Sequence, residues 1–181
     1  MPHTNSLSFR PAVVADIDAI VPLVESAYRG ESGLRGWTTE SHLLDGRRTD
    51  APAVAAIVAG PDSMVLLAES NGALQACCQL ERQKQAGYFG MFAVVPTLQG
   101  AGIGKAVLAE AERFAREVWG CEAMRMTVIE QRDELIQWYE RQGYYKTEQR
   151  EPFPGDTRFG TPLQPLEFLI MEKRIKGSVS I

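Results

Sequence analysis

The chain is poor in the residues from which metal centres and disulfide frameworks are made, with three cysteines and two histidines among 181 residues. Three cysteines cannot all pair, and Cys77 and Cys78 are neighbours with no histidine or further cysteine near them, so neither a structural disulfide nor zinc follows. They read as small buried hydrophobes. His3 and His42 stand far apart in the sequence, and no metal is expected. A cationic surplus is also missing: 19 Lys and Arg face 23 Asp and Glu, a net charge of −4, so no broad positive face is available for a phosphate backbone. No segment reaches the 18 or so unbroken apolar residues of a membrane span, and Met1 to Arg10 carries no apolar stretch after a basic start. Neither nucleic acid nor membrane is an expected partner, and a reducing cytoplasm is the expected compartment. What is present, 45% hydrophobic and 23% charged residues, is the composition of a packed domain. A fold of this length buries roughly 70% of its extended-chain surface, so one domain is expected over residues 1–181.

Periodicity sets the layout. Ser6 to Arg10 reads as a strand, and Ala15 to Tyr28 as an amphipathic helix with Ile17, Ile20, Val21, Val24 and Tyr28 on one side. A glycine-bearing loop from Arg29 to Trp37 leads to a short helix expected from Thr38 or Thr39 to about Gly46, and another helix is expected over Ala51 to Ala59. Ser63 to Glu69 and Ala73 to Arg82 are strands joined by the Asn71-Gly72 turn. Tyr88 to Val95 is apolar on both alternating sets, as in a central strand covered on both faces. Helices then follow from Val107 to Trp119 and from Asp133 to Gln142, with strands at Met124 to Ile129, from Tyr144, and at Leu166 to Met171. Glu151 to Pro165, with four prolines and two glycines, reads as an exposed loop. The order describes an α/β fold with helices on the faces of a mixed sheet.

The most specific signal is Gln99-Gly100-Ala101-Gly102-Ile103-Gly104-Lys105, after a buried strand and directly opening a helix. Unpaired first-turn N–H groups and glycines without Cβ favour an anion here, a phosphate or pyrophosphate. Two familiar nucleotide loops fail on register. A Walker A loop needs glycine at position 99 and Ser or Thr at 106, which are Gln99 and Ala106. A dinucleotide fingerprint needs glycine or alanine at 105 or 107, which are Lys105 and Val107. The pattern Gln-x-x-Gly-x-Gly after Val94-Val95-Pro96 resembles the acetyl-CoA loop of the GNAT superfamily of N-acetyltransferases. Met126 to Ile129, then Leu135 to Tyr144 with Tyr139-Glu140 and Gly143-Tyr144, is similar to that superfamily's second block. The two motifs cover roughly residues 86–147.

The resemblance implies a GNAT-like acyl-CoA N-acyltransferase fold, a central mixed, mostly antiparallel twisted sheet of about 6–7 strands flanked by about 4–5 helices. It implies acetyl-CoA as cosubstrate, with the backbone of Ala93, Val94 and Val95 along the pantetheine arm, and Gln99, Gly100, Ala101, Gly102, Ile103, Gly104 and Lys105 at the pyrophosphate. The acetyl group would pass directly to a primary amine of a small molecule or peptide; the alternative is a non-catalytic acyl-CoA sensor. A lysine-like amine must lose a proton first, which costs about 4.5 kcal/mol at pH 7. Tyr139 takes the place of the superfamily's tyrosine acid, against the alternative of an aromatic filling the inner face of its helix. No carboxylate stands on Tyr88 to Val95, so the base is open, with Glu31, Glu40 and Glu81 as candidates. Arg132 stands where the superfamily often has Asn. Trp37 is either a wall of the acceptor pocket or a cover for the core. The net charge of −4 attracts cationic acceptors at long range, leaving the local field of the pocket open. A homodimer fits the resemblance, with no residue marking its surface.

Overall fold

A computed structural model describes residues 6–29 and 40–176. The 7-stranded sheet has the order β1-β3-β4-β5-β6-β9-β7. Its strands are β1 (Ser8–Pro11), β3 (Ser63–Ser70), β4 (Ala73–Gln83), β5 (Ala86–Val94), β6 (Ala123–Ile129), β7 (Tyr145–Pro152) and β9 (Glu167–Arg174). All neighbours are antiparallel except β5 and β6. The remaining strands, β2 (Leu44–Asp45) and β8 (Thr161–Pro162), form a two-stranded ladder.

Alternation along the central strands feeds two cores. Leu66, Cys78 and Phe89 face one side, where α3 (Ile103–Glu117) and α4 (Asp133–Arg141) lay Val107, Leu108, Leu135 and Tyr139 over them. Val65, Leu67 and Cys77 face the other, under Ile20, Val24 and Val54 of α1 (Ile17–Tyr28) and α2 (Ala51–Ala59). Cys77 and Cys78 therefore lie on opposite faces, both buried and free, and burial pushes the Cys77 thiol up to about 12. The α2 helix starts where its signals stand, with Asp50 Oδ1 accepting the Ala53 N–H at 2.9 Å and Pro52 in its first turn.

One expectation is corrected, and another is given detail, by contacts distant in sequence. The helix expected up to Gly46 is, from Glu40 on, a single turn in which the Leu43 and Leu44 N–H groups donate to Glu40 O. The chain then extends into β2, which pairs with β8. Leu43 and Leu44 are buried with Ile129 and against Phe153 and Phe168, and that burial overrides the local capping signal. The segment 151–165 is exposed over most of its length, as expected, but it is anchored at several points. β7 runs on to Pro152, Phe153 packs on Phe168 at 5.2 Å, and Arg158 pairs with Asp50 at 2.9 Å.

Candidate active site

The glycine turn forms one wall of a cleft of about 480 Å³, where Val94, Gln99, Gly100, Gly102, Gly104 and Lys105 meet Trp138 and Arg141 of α4. Gly100 and Gly102 have φ of +88° and +82°, a region costly for residues with a Cβ. Gly102 precedes α3 without a side-chain cap, and the first bond closing the helix runs from the Ala106 N–H to Gly102 O at 3.1 Å. The N–H groups ahead of it have no helical acceptor and carry the positive end of the helix dipole, beside Lys105 and Arg141. Gly104 serves packing: a Cβ there would lie 2.9 Å from Phe92 Cζ, whose ring stacks on Trp138 at 5.8 Å. Gln99 Nε2 donates to Val94 O at 3.3 Å, tying the turn to the end of β5.

Beside this cleft the sheet opens. β5 and β6 pair only through Ala86–Tyr88 and Ala123–Arg125, although the strands run on to Val94 and Ile129. A bulge at Met91, with φ of +45°, shifts the β4–β5 register and re-aims the strand. The Val95 N–H donates to Gln75 O. By ladder alternation the polar groups of Ala93 also face β4, while those of Val94 face the opening. The Tyr88 hydroxyl and Thr127 Oγ1, 3.1 Å apart, bridge the diverging strands. Gly90 leaves room for that ring, since a Cβ there would sit 2.8 Å from it.

The opening widens into a cavity of about 500 Å³ whose lining includes Tyr28, Phe89, Met91, Thr127, Tyr139, Phe153 and Phe159. Tyr139 is 4% exposed, held by Phe89, Trp138 and Tyr144. Burial pushes its phenol well above the ordinary value near 10, with Arg132 opposing. Its hydroxyl has no hydrogen-bond partner among the described residues.

A family model for the GNAT acetyltransferases matches residues 27–144, more than half of the chain. The chain belongs to the GNAT acetyltransferase family. Solved structures share this fold at low identity. The ribosomal-protein-S18-alanine N-acetyltransferase of Escherichia coli is 16% identical at a TM-score of 0.71, covering 97% of this chain and 99% of its own. YncA of Salmonella typhimurium, solved with its cofactor acetyl-CoA, is 19% identical at 0.69, covering 97% and 98%. PaiA N-acetyltransferase of Thermoplasma acidophilum, solved in complex with coenzyme A, is 17% identical at 0.64, covering 93% and 99%. No curated protein matches the sequence significantly. The expected GNAT-like α/β fold is thereby borne out.

Within this GNAT fold the sequence candidates separate. Glu40 lines the cavity, but both its oxygens are engaged: Arg29 Nη1 donates to Oε2 at 2.6 Å and Arg132 Nη1 to Oε1 at 3.0 Å. All three residues are 6–7% exposed. Glu81 lies outside the cavity wall, opposite Tyr88 in the ladder, and accepts from Gln83 Nε2 at 3.2 Å. Glu31 and Trp37 lie outside the described residues. His42 is exposed and off the cavity wall. Sequence reading missed Arg29, Arg48 and Glu151, which stand on the cavity wall. Arg29 and Arg48 stand next to stretches that read as loop, and a charge next to a loop reads as solvated until the fold places it on a cavity wall. Glu151 reads as a loop residue, whereas the extended β7 carries it to the cavity wall.

Proposed function

We propose that this GNAT protein is an N-acetyltransferase that passes an acetyl group from acetyl-CoA directly to a primary amine. The observation that carries the reading is the placing of two hollows on one strand end. The cavity takes Tyr88–Phe92 of β5 as part of its wall and the anion-favouring cleft takes Val94, so both draw on the stretch of β5 from the last β6 partner onward.

The fit to acetyl-CoA rests on the helix amides of the glycine turn and on the edge of β5 that β6 does not pair. The first-turn amides of α3 with Gly100, Gly102 and Lys105 would hold the diphosphate, and Val94, with its polar groups toward the opening, would pair with the amide-bearing arm. Ala93 and Val95 would contribute shape, their backbones being turned to β4. Acetyl-CoA, when bound, supplies an activated thioester. The bulge at Met91 leaves backbone groups out of the ladder, donors for a carbonyl oxygen that gains charge. Tyr139, kept protonated by burial, would donate a hydrogen bond to the departing sulfur. Full transfer from a tyrosine to a thiolate is uphill by roughly 2 kcal/mol even before burial. Glu40 is committed to two guanidiniums, so the carboxylate on the wall with no ion pair among the described residues is Glu151, and it would take the amine proton directly or through water.

The test is release of free thiol from acetyl-CoA across a panel of amines, with calorimetry on the folded protein alongside. Amine-dependent thiol release is expected. Binding of acetyl-CoA without turnover of any amine would point to the sensor instead, and no heat with acetyl-CoA would remove both.

A further inference from the structure

The cavity wall carries four arginines, Arg29, Arg48, Arg125 and Arg132, against two glutamates, Glu40 and Glu151. Arg125 is matched from behind by Glu172 at 2.9 Å, and Glu40 is shared by Arg29 and Arg132. Arg48 has no ion pair or side-chain hydrogen bond among the described residues. Its main chain is pinned, because Glu25 Oε1 accepts the N–H groups of Arg48 and Thr49 at 2.7 Å each. Its guanidinium lies over the Tyr28 ring, 5.1 Å from the centroid, a stacking that holds the fork in place. Arg29 Nε is buried with no hydrogen-bond partner among the described residues, in a residue only 6% exposed, which is costly for a charged donor.

The wall residues carry two more positive than negative charges in a chain whose net charge is −4, and the Arg48 guanidinium shares that wall with a buried donor of Arg29 that lacks an acceptor among the described residues. Building on the transferase reading, we infer that the acceptor amine also bears a carboxylate, which docks on Arg48 and Arg29, making the substrate class amino acids and their acid-bearing derivatives. A planar carboxylate matches the guanidinium fork in two parallel bonds and gives Arg29 Nε an acceptor. A polyamine would instead bring like charge against this wall.

The experiment compares amino acids with their C-terminal amides and decarboxylated amines, by thiol release from acetyl-CoA. The acids are expected to have kcat/KM at least tenfold above the matched amides, mainly through KM. Arg48→Gln should narrow that ratio to under threefold, and Arg48→Lys should restore part of it. Amides or polyamines turning over as well as the acids would overturn the proposal, as would an Arg48→Gln variant that keeps the full ratio. A second arm measures binding of N-acetyl amino acids and N-acetyl amino amides by calorimetry, and it decides the anion site even if no amine turns over. At least tenfold tighter binding of the acids upholds the site, and equal binding overturns it. Failure of turnover alone counts against the transferase reading.

Discussion

The Tyr139 hydroxyl has no hydrogen-bond partner among the described residues, while its ring is packed against Phe89, Trp138 and Tyr144. Removing the oxygen should therefore spare the fold and strike the chemistry. For Tyr139→Phe we expect kcat to fall by about 10- to 100-fold, on the low side of general-acid effects, with a melting temperature close to that of the wild type. The pH profile sharpens this. Because burial raises the phenol above 10, Tyr139 stays protonated through neutral pH, and its loss should lower the plateau of kcat without moving either limb below about pH 10. A limb that shifts in Tyr139→Phe would mean that the phenol titrates during turnover. Glu40 has the reverse profile, its carboxylate lying buried between Arg29 and Arg132. Glu40→Gln leaves two guanidiniums without their shared counter-charge, a loss of about 3–5 kcal/mol. Thermal unfolding should then begin on the order of 10 °C lower. Unchanged melting with abolished turnover would instead restore Glu40 as the base.

At the scale of the element, the glycines of the turn divide into two kinds, and substitution separates them. Gly100 needs its positive φ but has open space around it, so Gly100→Ala should cost about 1–2 kcal/mol of backbone strain without a clash. Gly104 has an ordinary backbone and a crowded one-sided neighbourhood. Its Cβ would press on Phe92 Cζ at 2.9 Å and disturb the stack with Trp138 that walls the cleft. Gly104→Ala is expected to weaken acetyl-CoA binding about tenfold with α3 still formed, which calorimetry and circular dichroism would check together. Equal affinity would show that the aromatic stack yields freely. The sequence made this element legible because both its glycine spacing and its place between strand and helix are local. The β3–β4 hairpin and α2 were legible for the same reason, through Asn71-Gly72 and Asp50. The bulge at Met91 was not, since an apolar run of both parities looks alike with or without one extra residue. Nor was the β2–β8 ladder, whose two residues on each side carry no period and owe their pairing to Phe153 and Phe168. The arginine cluster was hidden for a related cause: Arg132 is distant in sequence from Arg29 and Arg48, and they come together through Glu40, shared by Arg29 and Arg132, and the Tyr28 ring, under both Arg48 and Arg132.

Across the whole molecule, net charge and local charge point in opposite directions. The overall −4 acts on an approaching ligand over about a Debye length, whereas the cleft presents helix amides with Lys105 and Arg141, and the cavity presents arginines, to whatever enters. Two anionic ligand groups, a diphosphate in the cleft and a carboxylate in the cavity, would neutralise positive charge on either side of the sheet opening, where β5 and β6 are held together by three residue pairs and the Tyr88–Thr127 contact. Filling the cleft should then stabilise the whole fold, because the ligand binds only when β5, α3 and α4 are assembled. Acetyl-CoA at 100 times its dissociation constant contributes about 2.7 kcal/mol, which for a chain of this size raises the melting temperature by roughly 5–10 °C. The same measurement with acetyl-CoA stripped of its diphosphate and nucleotide, leaving acetyl-pantetheine, should give a shift of a degree or two, since the amides at Gly100 to Lys105 then lose their anion. Equal shifts from the two ligands would place the grip on the arm along Val94 and leave the glycine turn without a binding role.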